Sequence, residues 1–161
     1  MTFIIDSFFR KAKHGAILLA LLWLFSFSAV HAKPQNKPTI RVACVGNSIT
    51  YGTGIEDREH FSYPVQLQKM LGGKYVVGNF GKPGATLLRH GHRPYFEQNE
   101  FKEAMRFKGD IVVIHLGIND TDPRNWPNYR DEFVTDYLAL IDSLRSVNHN
   151  ARFIIARMTP I

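Results

Sequence analysis

The chain has 161 residues, of which 45% are hydrophobic, enough for one domain with a real core. Its net charge of +6 comes from bases scattered among acids, which excludes a nucleic-acid footprint and favours an anionic partner only weakly. The single cysteine, Cys44, excludes an intrachain disulfide and argues against a cysteine metal site.

Residues 1–32 have the layout of a signal peptide. Arg10, Lys11 and Lys13 make a basic start, Ala16 to Val30 is apolar, and Val30-His31-Ala32 offers a small-residue cleavage site. The apolar run is shorter than the about 20 residues that span a bilayer. Cleavage near Ala32 is therefore expected, with a secreted or periplasmic product that meets the membrane only through this leader. An uncleaved anchor is the alternative. Cys44 lies beyond the apolar run, which argues against a lipoprotein.

Residues 33–38 form a polar, proline-bearing lead-in to a domain over 39–161. Thr39–Val45 reads as a first strand, a near-continuous apolar run suited to burial on both faces of a parallel sheet. Tyr51 to Phe61 reads as loop. Ser62 is placed to cap a helix that carries Pro64 in its first turn and stops at Gly72-Gly73. Lys74–Phe80 is a second strand, followed by the tight turn Gly81–Thr86 and an irregular basic stretch from Leu87 to Pro94.

A second helix is expected over about Phe96–Phe107. Ile111–Leu116 is the clearest buried strand, ended by Gly117-Ile118-Asn119-Asp120. Thr121 to Asn128 reads as loop. Asn128 is placed to cap the longest helix, whose Phe133, Tyr137, Leu140, Ile141, Leu144 and Val147 share one face. Arg152–Met158 is a fourth strand. This βαβαβαβ order predicts a three-layer α/β fold: a parallel, flavodoxin-like sheet with helices on both faces and right-handed crossovers.

Ligands in such sheets bind beyond the carboxyl ends of the strands. Ser48, Gly84 and Asn119 each fall just past the end of a different strand. Acyl transfer through serine needs a hydroxyl, a base, an orienter for that base and donors for the oxyanion. Ser48 is the candidate nucleophile. The Ser48 and Gly84 backbone N–H groups and the Asn119 amide are the candidate donors; an amide NH₂ donates at any working pH. The plainer reading makes Ser48 or Thr50 a helix cap, and Asn119 and Asp120 a turn.

Gly46-Asn47-Ser48, Gly81-Lys82-Pro83-Gly84-Ala85-Thr86 and Gly117-Ile118-Asn119-Asp120 together resemble the first three blocks of the SGNH (GDSL-like) hydrolase family. Asn47 stands where that family more often has Asp. The resemblance runs from about Thr39 to Ile161. It implies a serine ester hydrolase with Ser48 as nucleophile and Ser48, Gly84 and Asn119 as the oxyanion hole. The segments Leu88–Tyr95 and Asp120–Phe133 look more narrowly like secreted bacterial carbohydrate esterases of the sialate O-acetylesterase type. That implies removal of O-acetyl groups from a small-molecule or glycan ester.

Family members carry acid and base in an Asp-any-any-His block after a further strand and helix. The sequence reaches Ile161 at the end of the fourth strand. The expectation is a domain lacking its last strand and helix, with feeble activity. A literal Asp-any-any-His occurs at Asp57-Arg58-Glu59-His60, in the first loop, and makes His60 with Asp57 the alternative base pair. His115, inside a strand, is expected in the core and His149 on the surface.

Arg89, His92, Arg93 and Trp126 lie on the loops that shape the site. Arginine forks suit a carboxylate and an indole face suits a sugar ring. His90 and His92 have no acidic or sulfur ligand nearby in sequence, and no metal or cofactor is expected. Two competing classes are a non-catalytic carbohydrate-binding remnant and a nucleotide binder. The second is disfavoured because Gly46–Gly54 lacks both the P-loop Lys-Ser/Thr and a Gly-any-Gly-any-any-Gly. Nothing in the sequence bears on oligomeric state.

Overall fold

The computed structural model describes residues 39–157. The leader over 1–32 and the lead-in over 33–38 lie outside the described residues, as do positions 158–161.

Four parallel strands form one sheet in the order β2-β1-β3-β4: β1 Ile40–Gly46, β2 Tyr75–Gly81, β3 Ile111–His115 and β4 Arg152–Ile155. Among the described residues, six α-helical segments connect and flank them. They are α1 Ser48–Tyr51, α2 Arg58–Phe61, α3 Tyr63–Leu71, α4 Asn99–Phe107, α5 Trp126–Tyr129 and α6 Phe133–Val147. This is the α/β architecture expected from the alternating apolar runs.

The path moves one way from β1 to β2 and the other way from β2 through β3 to β4. Right-handed crossovers therefore put α3 on one face and α4 and α6 on the other. Ala43, Val45, Val112 and Ile114 point into the second layer, where Ala104, Leu140 and Leu144 complete the buried core. Val42 and Cys44 point the opposite way and are fully buried. Burial pushes the Cys44 thiol up to about 11, so it stays protonated and behaves as a small apolar side chain. β4 is the outermost strand on its side among the described residues, and it leaves Ile154 and Ile155 about half exposed, at 51% and 58%.

Several boundaries differ from the sequence expectation. The stretch Tyr51–Phe61, read as loop, includes α2 and the last residue of α1. Ser62 stands at the N-cap of α3 without a side-chain capping bond. The helix expected from Phe96 begins at Asn99, because Pro94 leads first into a 3₁₀ turn over Tyr95–Glu97 and Gln98 is extended. Asn128 does not cap the long helix. It sits inside the short α5, where its amide donates to the Arg124 carbonyl, and α6 starts only at Phe133. Pro127, fixed in φ and lacking an N–H, favours the first turn of a helix and so starts the separate segment α5 ahead of Asn128.

His115 is buried in β3 and His149 is exposed, both as expected.

Candidate active site

Gly81, Gly46 and His115 stand side by side on the last rung of β2, β1 and β3. The three signature loops leave from this rung. Ser48 is two residues past Gly46, Gly84 three past Gly81 and Asn119 four past His115. The sheet order reverses between β1 and β3, so this rim is also the switch point where open α/β sheets bind ligands.

Short contacts lock the first two loops together. A Cβ on Gly46 would run into the Thr50 hydroxyl and the His115 carbonyl, and one on Gly81 into the backbone of Thr50 and Tyr51. Only glycines let α1 sit directly on the strand ends. The Lys82 N–H also donates to the Gly46 carbonyl at 2.9 Å.

Asn47 is fully buried at the N-cap of α1, and its Oδ1 accepts the Ile49 N–H at 3.0 Å. Its Nδ2 is buried without a partner. Ser48 follows as the first residue of the helical turn, half-buried, and its hydroxyl has no hydrogen-bond partner among the described residues.

The third loop is tied to the second. Asn119 donates one Nδ2 hydrogen to the Ala85 carbonyl at 2.8 Å, which leaves the other without a partner among the described residues. Asp120 is fully buried and its two oxygens accept the Leu87 and Leu88 N–H groups at 2.9 and 2.7 Å. Burial raises this carboxyl above its ordinary value, against the pull of the two amide bonds. Gly84 has φ +76°, and a Cβ there would meet Arg93 Nη1 at 3.3 Å. Its N–H, like that of Ser48, has no partner among the described residues.

The loop over Leu87–Arg93 is closed at its base by Thr86, whose N–H donates to Arg93 and whose carbonyl accepts from Tyr95. Tyr95 is buried and donates its hydroxyl to the Phe80 carbonyl at 2.7 Å. Two residues that sequence reasoning passed over hold this loop from outside. Asp136 of α6 accepts the Arg89 N–H at 2.8 Å, and Asn125 accepts the His92 N–H at 2.9 Å. The signal for Asp136 was a carboxylate on the stripe that buries Leu140 and Leu144. Asn125 carried no local signal.

The other candidates are placed as follows. Arg89 stacks its guanidinium over Phe96 at 4.3 Å, and Arg93 donates to the Pro83 carbonyl at 3.1 Å. Trp126 packs edge-on against Phe133 and is 39% exposed. His90 pairs with Glu132 at 2.7 Å, whereas His92 lies against Asn125, so the two rings have separate partners. Asp57 and His60 form a hydrogen-bonded pair at 2.9 Å, exposed to solvent. No histidine among the described residues is hydrogen-bonded to Ser48.

Comparison with known proteins agrees with this fold. Residues 44–161 match the model of the GDSL-like lipase/acylhydrolase family. An acetylxylan esterase of Xylanibacter ruminicola is 46% identical over 123 residues, which are 76% of this chain and 24% of that protein. The chain thus spans about a quarter of the curated relative it matches. A family two carbohydrate esterase from Clostridium thermocellum, solved with cellohexaose, superposes with a TM-score of 0.58 at 20% identity, over 76% of this chain and 45% of that one. A structure described as a putative arylesterase, from Agrobacterium tumefaciens, superposes with a TM-score of 0.57 at 22% identity, over 73% of this chain and 62% of that one. Both share the fold. The chain belongs to the GDSL-like lipase/acylhydrolase family.

Proposed function

We propose that this chain carries the nucleophile and oxyanion hole of a secreted serine esterase that removes O-acetyl groups from carbohydrate. One observation carries the reading. Three donors without a partner among the described residues, the Ser48 N–H, the Gly84 N–H and the second Asn119 Nδ2 hydrogen, sit on loops that leave from one rung of the sheet, and the Ser48 hydroxyl on the first of these loops is also without a partner among the described residues.

Ser48 Oγ attacks the acetyl carbonyl carbon, and its proton passes to a base. The carbonyl oxygen becomes an oxyanion that the three donors meet without reorganising. Collapse releases the sugar oxygen with a proton from the base, and water repeats the sequence to free acetate. The base is proposed to come from outside the described residues. In support, the chain covers 24% of the acetylxylan esterase, and the exposed Asp57–His60 pair makes no bond to Ser48.

A neutral acetylated glycan such as acetylxylan is favoured over an acidic sugar. The guanidinium groups of Arg89, Arg93 and Arg124 are already engaged, by Phe96, the Pro83 carbonyl and Asp122. Trp126, partly exposed, offers indole surface for a sugar ring. The layout of residues 1–32 supports export by a cleaved leader.

The test is acetate release by the protein, in its natural sequence context, from acetylated xylan, an O-acetylated sialic acid and a long-chain acyl ester. Release chiefly from xylan is expected. Glycan binding without acetate release would favour the binding remnant, and preference for the long-chain ester would overturn the carbohydrate assignment.

A further inference from the structure

Asn125 is 1% exposed and its side-chain amide is fully used. Oδ1 accepts the backbone N–H of His92 at 2.9 Å, and Nδ2 donates to the backbone carbonyl of Asn119 at 2.9 Å. A backbone N–H only donates and a backbone carbonyl only accepts, so the amide has one possible orientation. The second Nδ2 hydrogen faces His92 Nδ1 at 2.9 Å, closer than Oδ1 at 3.3 Å. A ring nitrogen that faces an N–H must accept. The shorter contact selects the tautomer in which Nδ1 accepts and Nε2 carries the proton.

We infer that Asn125 is a positioning residue with two linked roles. It ties the oxyanion loop at Asn119 to the loop that carries His92, and it locks His92 so that Nε2–H is presented to an oxygen of the substrate. The place fits. His92 is exposed, its Nε2 has no partner among the described residues, and the next residue, Arg93, packs over Gly84. The two carboxylates on the Asn119–Asn125 segment are engaged elsewhere: Asp120 accepts two amide N–H groups and Asp122 is paired with Arg124. The substrate-facing role rests on the esterase reading; the lock does not.

The test is ¹⁵N NMR of the imidazole rings in the whole chain. The unsubstituted protein is expected to show His92 protonated on Nε2, and a ring protonated on Nδ1 overturns the lock without any variant. Asn125→Asp replaces the donor by an acceptor and is expected to move the proton to Nδ1. A solvated ring would not follow that isosteric change, so a proton that stays on Nε2 also overturns the lock.

For the substrate-facing role, binding of an O-acetylated xylo-oligosaccharide is measured in a Ser48→Ala background. Adding His92→Phe is expected to weaken it about tenfold, the loss of one hydrogen bond. Unchanged affinity overturns that role. Absence of binding by the Ser48→Ala parent contradicts the esterase reading instead, while the NMR result still decides the lock.

Discussion

Asn119 and Ala85 are 34 positions apart in the chain, and the side-chain amide of the first donates to the carbonyl oxygen of the second at 2.8 Å. That bond aims the amide. With one hydrogen held, the other has a fixed direction, and on the proposed reading it would meet an oxyanion without reorganising. Asn119→Ala should lower kcat by about 10²–10³-fold with little change in KM, as removal of one oxyanion donor does elsewhere. Steady-state kinetics on a soluble acetyl ester check this.

Asp120 holds the same two loops by its carboxylate. Asn in its place keeps one acceptor and turns an N–H toward a buried backbone N–H. Asp120→Asn should cost about 1–3 kcal/mol of stability, read as a lower midpoint in urea. It should also lower activity, because only Thr86 separates Leu87 and Leu88 from the Gly84–Ala85 turn.

Asn47 works through one atom. Oδ1 caps α1 at Ile49, and Nδ2 has no partner. Asn47→Ala should cost about 1 kcal/mol, the usual worth of such a cap. Asn47→Asp keeps the acceptor and should retain the greater part of that stability in the same unfolding assay. Equal losses in the two variants would show that the cap is not what Asn47 contributes.

At the other end of the sheet, Asp110 accepts from the Arg41 backbone and guanidinium and from the Asn148 amide. Burial pushes its carboxyl up, but these bonds outweigh burial and hold it below the ordinary value of 3.8. A lowered folded pKa means that the unfolded chain takes up the proton first. The stabilisation is full above the ordinary carboxylate value and is lost as pH falls through the lower folded value. Thermal midpoints should therefore drop as pH falls below about 4, and Asp110→Asn should flatten that acid limb.

The strands and the three signature loops were legible because their signals are local. Val42 to Val45 is a run buried on both faces, Ile111 to Ile114 is buried on one face and half-buried on the other, and Ser48, Gly84 and Asn119 follow strand ends at short spacing. What holds the loops in place was not legible. Asp120 binds residues 32 and 33 positions away, Asn125 one 33 away and Asp136 one 47 away. Periodicity carries no information about such partners. The start of α6 was misplaced for a related reason. Asn128 has the chemistry of a cap, but Pro127 committed the chain to a separate turn first.

The central claim is that Ser48 attacks the ester. The most direct measurement compares the protein and its Ser48→Ala variant in p-nitrophenyl acetate hydrolysis, with matched folding verified by thermal melts. The account predicts that the rate above buffer disappears in Ser48→Ala. A Ser48→Ala rate equal to that of the unsubstituted protein would contradict it.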